Sequence, residues 1–339
     1  MAANDMLSEL FKFHAQIIIV LTCSLSILGS ILIITTYALY KDIRSPSRHI
    51  IVCISIADMF QAMANLYSAY FVNQKDEHFM ENCIIQSFVG STAINCSFMW
   101  TMMLAIFLFI SLDREKPSLA IRLIHPWFHL ISWLIPLFIN LLALFLRKLG
   151  DNYDSASAGW CWIRMDDAHA TLWMFLDGKG LELLTYIVII VLYTKLKWHL
   201  QRKIRKFERS ESFNENLTRF SLKAAKQVDK KIILVPIVYI LLRIWGTVRF
   251  FMFIAGTDDK KYRVVADVFI VLQLFGDNLV GFANCVLFCF LTVKIRRHLK
   301  SSLSRMYIKC RTCYRPDEFS YMDISSDGEL SEDMSLSST

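Results

Sequence analysis

The sequence predicts an all-α membrane protein, a seven-transmembrane helix bundle with its N-terminus outside and a short amphipathic membrane-surface helix after the seventh span. Three observations predict it. The 339 residues are 55% hydrophobic with a mean hydropathy of +0.41, too apolar, and too evenly so, for one water-soluble core. Seven apolar runs can each cross a hydrocarbon layer of ~30 Å, which takes about 20 helical residues: 14–39, 50–72, 83–112, 124–146, 171–194, 232–255 and 264–293. The charge also sorts by side. Of the 37 Lys and Arg, 26 fall in segments that lie inside when the N-terminus is outside, against 8 in the outer segments. With only 11 Gly and 6 Pro, the spans read as mostly unbroken helices.

Residues 1–13 form a short outer segment, too small for a folded ligand-binding domain. It lacks a basic region and a small-residue cleavage site, so the first span reads as a signal anchor. The third span is central. From Cys83 to Leu112 it would be about 45 Å long, more than the layer requires, so it tilts. Its Ser91, Thr92, Asn95, Ser97 and Thr101 would be costly against lipid and belong against other helices or a water-lined cavity. In the second outer loop Cys161 stands between Trp160 and Trp162. Cys83 and Cys161 are the two cysteines placed outside the membrane on the oxidising side, which predicts a disulfide between them. The two indoles fit a lid over a pocket and an interfacial aromatic belt equally well. Cys23, Cys53, Cys96, Cys285 and Cys289 fall within spans and read as packing residues.

After the fifth span, Leu196, Leu200, Ile204 and Phe207 recur at helical spacing among the Lys and Arg of residues 195–231. This basic amphipathic extension reads equally as a partner-docking surface and as a segment held by anionic headgroups. In residues 294–308, Ile295, Leu299, Leu303 and Met306 share one face, with Lys294, Arg296, Arg297, Lys300 and Arg305 around it. That is a helix lying on membrane lipids. Cys310 and Cys313 follow at the place for S-palmitoylation. A lone Cys-x-x-Cys is weak evidence for zinc, so no metal and no cofactor is expected. Residues 309–339 read as a disordered, acidic, Ser-rich tail open to phosphorylation.

Ionisable groups deep in a bilayer need partners and mark function. Asp58 and Asn284 lie at a similar depth, about 12–14 Å from the inner ends of spans two and seven, where they share a water or cation site or simply brace the helices. Lys179, Glu182 and Tyr186 share a face of span five, and Arg243 of span six comes to similar depth. A Glu182–Arg243 pair is expected, either orienting an anionic or zwitterionic ligand or locking two helices. Lys179 and Arg249 read equally as snorkelling to the outer surface. Asp277 and Gln273 sit at pocket depth on span seven, and with Trp160, Trp162, Lys179, Glu182, Tyr186, Arg243 and Arg249 they complete the candidate ligand pocket.

Several classes drop out. The net charge of +7 follows the membrane rather than a nucleic-acid face. No hydrolase or metalloprotease motif occurs, and His14, His125 and His129 near helix ends read as interface residues rather than ligands. The rival is a seven-span transporter or channel for a small polar solute, which would show an internal repeat that is not found.

Seven spans with an outer N-terminus, a third-span cysteine facing one in the second outer loop, and a basic third inner loop resemble a G-protein-coupled receptor. More narrowly, Ser55-Ile56-Ala57-Asp58, Trp133 before Pro136, and Gly159-Trp160-Cys161-Trp162-Ile163 resemble the group of cyclic-AMP chemoattractant and secretin-type receptors. Asp229-Lys230-Lys231, Leu242-Arg243-Ile244-Trp245-Gly246-Thr247-Val248-Arg249-Phe250 and Ala283-Asn284-Cys285 are similar to an orphan branch of that family. The resemblance implies a non-enzymatic receptor in the plasma membrane and primary cilium, passing an extracellular ligand's arrival to a heterotrimeric G protein. It further implies the Gq class, with phospholipase C and calcium downstream. Arg114, Lys226, Lys230 and Lys231 would face the G protein, and an arrestin-type partner would take the phosphorylated tail. Two rhodopsin-like switches are not carried over. Glu115 follows Asp113-Arg114 where Tyr would stand, and Asn284-Cys285-Val286-Leu287-Phe288 replaces Asn-Pro-x-x-Tyr.

Overall fold

Peptide groups cannot go unpaired in lipid, and an apolar run satisfies its own only by coiling. The computed structural model is accordingly a helical bundle, and it describes residues 2–71, 77–112, 117–151, 159–166, 168–209, 234–256, 263–292, 295–302 and 304–305. Helix α1 (Ala2–Leu39) passes through a short turn at Lys41–Ile43 into α2 (Pro46–Phe71). Helix α2 opens as helices favour. Pro46 takes the first position, where its missing N–H costs nothing, and the Ser45 hydroxyl accepts the Arg48 N–H at 3.4 Å. Helix α3 is Phe79–Leu112. Helix α4 runs through Pro117–Leu123, two π turns at Ile124–Phe128 and Leu130–Leu134, and Ile135–Phe145.

Two helices depart from the unbroken form expected of them. Helix α5 comprises Ala170–Met174, a π turn at Phe175–Lys179 and Gly180–Arg209, with Asp177 and Gly178 non-helical. The break lies where the backbone passes close to a neighbour: a Cβ at Gly178 would sit 3.1 Å from the Trp162 ring. Helix α6 (Leu234–Ile254) is continuous. Helix α7 is made of Arg263–Asn278, Val280–Cys285 and a π turn at Val286–Phe290, bent by 49° at Leu279. At that bend Gln61 Nε2 donates to the Asp277 carbonyl at 3.2 Å, and a side chain inserted into the helical ladder is an ordinary cause of a kink.

Helix α3 is the axis. Of its apolar span 78% lies inside the bundle, against 28% for α4, and Trp100, Phe98, Leu104 and Leu108 are fully buried on it. Leu28 of α1 and Phe138 and Phe145 of α4 are exposed, as a lipid-facing surface requires. Small residues let the remaining helices close in. A Cβ at Gly276 would overlap the Leu242 carbonyl oxygen of α6, and one at Gly281 would overlap the Ser26 hydroxyl of α1. Strands β1 (Leu149–Gly150) and β2 (Trp162–Ile163) pair antiparallel in the second outer loop, with Leu149 opposite Ile163. The predicted disulfide is present: Cys83 and Cys161 are bonded, their Cα atoms 5.4 Å apart. Residues from 292 onward form a second unit. In it residues 295–302 are helical, with Arg296, Arg297 and Lys300 exposed.

The Gly276 contact makes a prediction. Gly276→Ala drives a methyl into backbone that cannot rotate away, so it lowers the stability of the detergent-solubilised protein by about 1–3 kcal/mol, the usual cost of overpacking. Thermal melting beside the unaltered protein checks it.

Candidate functional site

Beneath the β1–β2 loop the helices line a cavity of about 60 Å³, room for a few waters or a very small polar solute. Helix α3 supplies Gln86, Gly90, Ser91, Ile94 and Phe98, which fall on one face because they recur every three or four residues. Helix α5 supplies Asp177, Gly178, Lys179 and Glu182 from its broken outer end. Gln61 and Asn65 come from α2, and Gln273 and Asp277 from α7. Trp160, Cys161 and Trp162 form the roof, so both indoles line the cavity.

Two charge clusters meet here. In the first, Lys179 Nζ lies 2.7 Å from Glu182 Oε2, while Glu182 Oε1 accepts Tyr186 OH at 2.6 Å and Thr247 Oγ1 at 2.8 Å. That carboxylate has exchanged its water for three donors, one of them on α6. In the second, Arg243 Nη2 donates to Gln61 Oε1 at 2.6 Å and Nη1 reaches Asp277 Oδ1 at 3.4 Å. Gln273 Nε2 donates to Asp277 Oδ2 at 3.0 Å, and Gln273 Oε1 accepts from Arg249 Nη1 at 2.6 Å. The Arg243 guanidinium also lies 5.4 Å from the centre of the Phe98 ring and 5.9 Å from that of Tyr239, within reach of cation–π attraction.

The expected Glu182–Arg243 pair is replaced by these two clusters. Glu182 meets Thr247, one turn along α6 from Arg243, so it reaches α6 at the neighbouring turn. Lys179, three residues back on its own helix, supplies the cation. Lys179 and Arg249 do not snorkel outward either. Both are buried and bonded inside the bundle.

The roof is fastened from below. Trp162 Nε1 donates to Asp177 Oδ2 at 3.1 Å, and the Cys161 N–H donates to Gln86 Oε1 at 2.9 Å. Asn95 Nδ2 donates to the Asp177 carbonyl at 2.9 Å, holding the α5 break against α3. Toward the inner side, Asp58 accepts Ser97 Oγ at 2.6 Å and Asn284 Nδ2 at 2.9 Å, joining α2, α3 and α7. Asp177, Gln61, Asn65 and Gln86 were not singled out from sequence. For Asp177 a signal existed: an acid beside a glycine inside an otherwise apolar run. Arg114, Lys226, Lys230, Lys231, Cys310 and Cys313 lie outside the described residues.

Opposed charges and amide groups converging on an apolar-walled cavity can orient a polar molecule by its own charges. Comparison with known proteins agrees with a binding bundle. Residues 29–287 match the family described as 7 transmembrane receptor (rhodopsin family). The chain is 33% identical to G-protein coupled receptor 157 of Mus musculus over 91% of its own length and 89% of the relative's. It is also 33% identical to G-protein coupled receptor 157 of Homo sapiens, over 84% of this chain and 82% of that one. Similarity extends to Cyclic AMP receptor-like protein A of Dictyostelium discoideum, 23% identical over 80% of this chain and 63% of that one.

Removing one partner of a buried ion pair strands the other. Arg243→Met therefore costs about 3–5 kcal/mol, and Asp277→Leu in the same chain restores much of the loss. The melting temperatures of the two single variants and the double variant, compared as a cycle, measure it.

Proposed function

The chain belongs to the 7 transmembrane receptor (rhodopsin family), and on that premise we propose that it binds a small zwitterionic solute beneath Trp160 and Trp162 and signals through a heterotrimeric G protein of the Gq class. One observation carries the reading. Lys179, Glu182 and Asp277 line the cavity and are at the same time the groups that bond α5 to α6 and α6 to α7, directly or through one neighbour. A ligand carboxylate that engages Lys179, or an ammonium that engages Glu182 or Asp277, competes with the bonds to Thr247 and Arg243.

A ligand shifts a conformational equilibrium only by binding one state better than the other, and this competition supplies the difference. Loosening both ties frees α6 to move away from α3 at its inner end, the opening a G protein needs. Arg114, Lys226, Lys230 and Lys231 face that opening in this reading. Phospholipase C and calcium follow downstream, from the plasma membrane and the primary cilium. The phosphorylated tail engages an arrestin-type partner. Cys310 and Cys313 carry acyl chains, and the 294–308 helix rests on lipid.

The test is ligand-free inositol phosphate accumulation in cells with matched surface levels. Neutralising Lys226, Lys230 and Lys231 to Gln lowers the basal signal by about tenfold, as expected if coupling loses about 1.4 kcal/mol, while Thr247→Val raises it by loosening the α5–α6 tie. Signalling unchanged in the triple variant would remove the docking role. A wild type silent here but active on reporters of another G-protein class would remove Gq and leave the pocket reading standing.

A further inference from the structure

Toward the inner end of the bundle, α2 and α4 bring together His49, Cys53 and His129, with one nitrogen or sulfur of each within 4.8 Å of the other two. His49 and Cys53 are one turn apart on α2 and therefore share a face. His129 stands between the two π turns of α4. The Nε2 atoms of His49 and His129 are 3.1 Å apart, and Cys53 Sγ lies 3.9 Å from His49 Nε2. Around a tetrahedral zinc, nitrogens bound at about 2.0–2.1 Å stand about 3.3 Å apart, and a thiolate at about 2.3 Å stands about 3.6 Å from each. The His49–His129 and His49–Cys53 separations are thus close to those such an ion imposes, and the third lies within 4.8 Å.

The surroundings point the same way. Trp100 of α3 packs edge-on against the His129 ring, with centroids 4.8 Å apart. Its indole Nε1 is buried with no hydrogen-bond partner among the described residues. An unpartnered indole N–H on the ring that packs against His129 is a donor for an ion-bound water in the fourth position.

We propose that His49, Cys53 and His129 form a binding site for a zinc-class divalent cation that clamps α2 to α4. Two imidazoles and one thiolate are a donor set suited to zinc, and the reducing cytosolic side keeps Cys53 a thiol. Both histidines bind as neutral rings through Nε2, Cys53 gives up its proton to solvent, and a water fills the fourth position. His49 and His129 are half-buried rather than sealed, so the ion enters without unfolding the bundle.

The experiment uses the full chain in lipid nanodiscs, purified without a histidine tag and carrying Cys310→Ser and Cys313→Ser so that this pair cannot compete. It is titrated first with cobalt(II) and then with zinc(II). The proposal expects one equivalent of cobalt with tetrahedral d–d bands and a thiolate-to-cobalt charge-transfer band, both displaced by zinc, and a rise in melting temperature with zinc. Cys53→Ser abolishes the charge-transfer band, and Cys53→Ser and His129→Gln each weaken binding by about tenfold or more. Melting without metal shows that each variant is folded. Absence of saturable binding, an octahedral spectrum, or binding unaltered in folded Cys53→Ser and His129→Gln would overturn the site.

Discussion

A guanidinium 1% exposed in the middle of an apolar bundle is the constraint on which the rest depends. Arg243 cannot shed its charge and cannot reach water, so its charge must be met by fixed groups, which meet its two terminal nitrogens while Nε is left without a partner among the described residues. They come from three other helices: Gln61 of α2, Asp277 of α7 and the ring of Phe98 on α3. Each helix must present its residue at one depth and one rotation, which sets the registry of the bundle. The same demand shapes α7, because Gln61 answers both the Arg243 guanidinium and the Asp277 carbonyl at the bend.

In the proposed reading, registry and recognition are thereby made of the same atoms. The carboxylates that balance Lys179 and Arg243 are also the groups a polar visitor meets. Such sharing is economical in a bilayer, where each added charge carries a desolvation penalty. In that reading, binding and helix spacing are coupled without a relay between distant places. Asp58, Ser97 and Asn284 continue the polar core toward the inner side and tie together α2, α3 and α7.

The fold was legible in the sequence because lipid imposes length and hydropathy on each span, and because Lys and Arg record which side a loop lies on. The disulfide was legible because Cys83 and Cys161 fall outside the membrane on the oxidising side. The site was legible in membership more than in pairing. Lys179, Glu182, Gln273 and Asp277 were identified from charge and depth, yet Glu182 met Thr247 rather than Arg243. Depth counted along straight helices cannot resolve one turn when α5 breaks at Asp177-Gly178 and α7 bends at Leu279. Gln61, Asn65 and Gln86 escaped because an uncharged amide in a span looks like any helix–helix glue until its partner is known. His49, Cys53 and His129 converge across 80 residues of chain, and no local spacing encodes that meeting.

The second outer loop is held at Cys83 by a covalent bond, at Gln86 through the Cys161 N–H, and at Asp177 through the Trp162 indole. A cover pinned at three points does not swing as one piece. In the proposed reading, a ligand passing this cover meets a roof that yields only by local breathing. Since departure rate usually separates one ligand from another in a given pocket, a ligand that binds here as proposed would be distinguished by how long it stays.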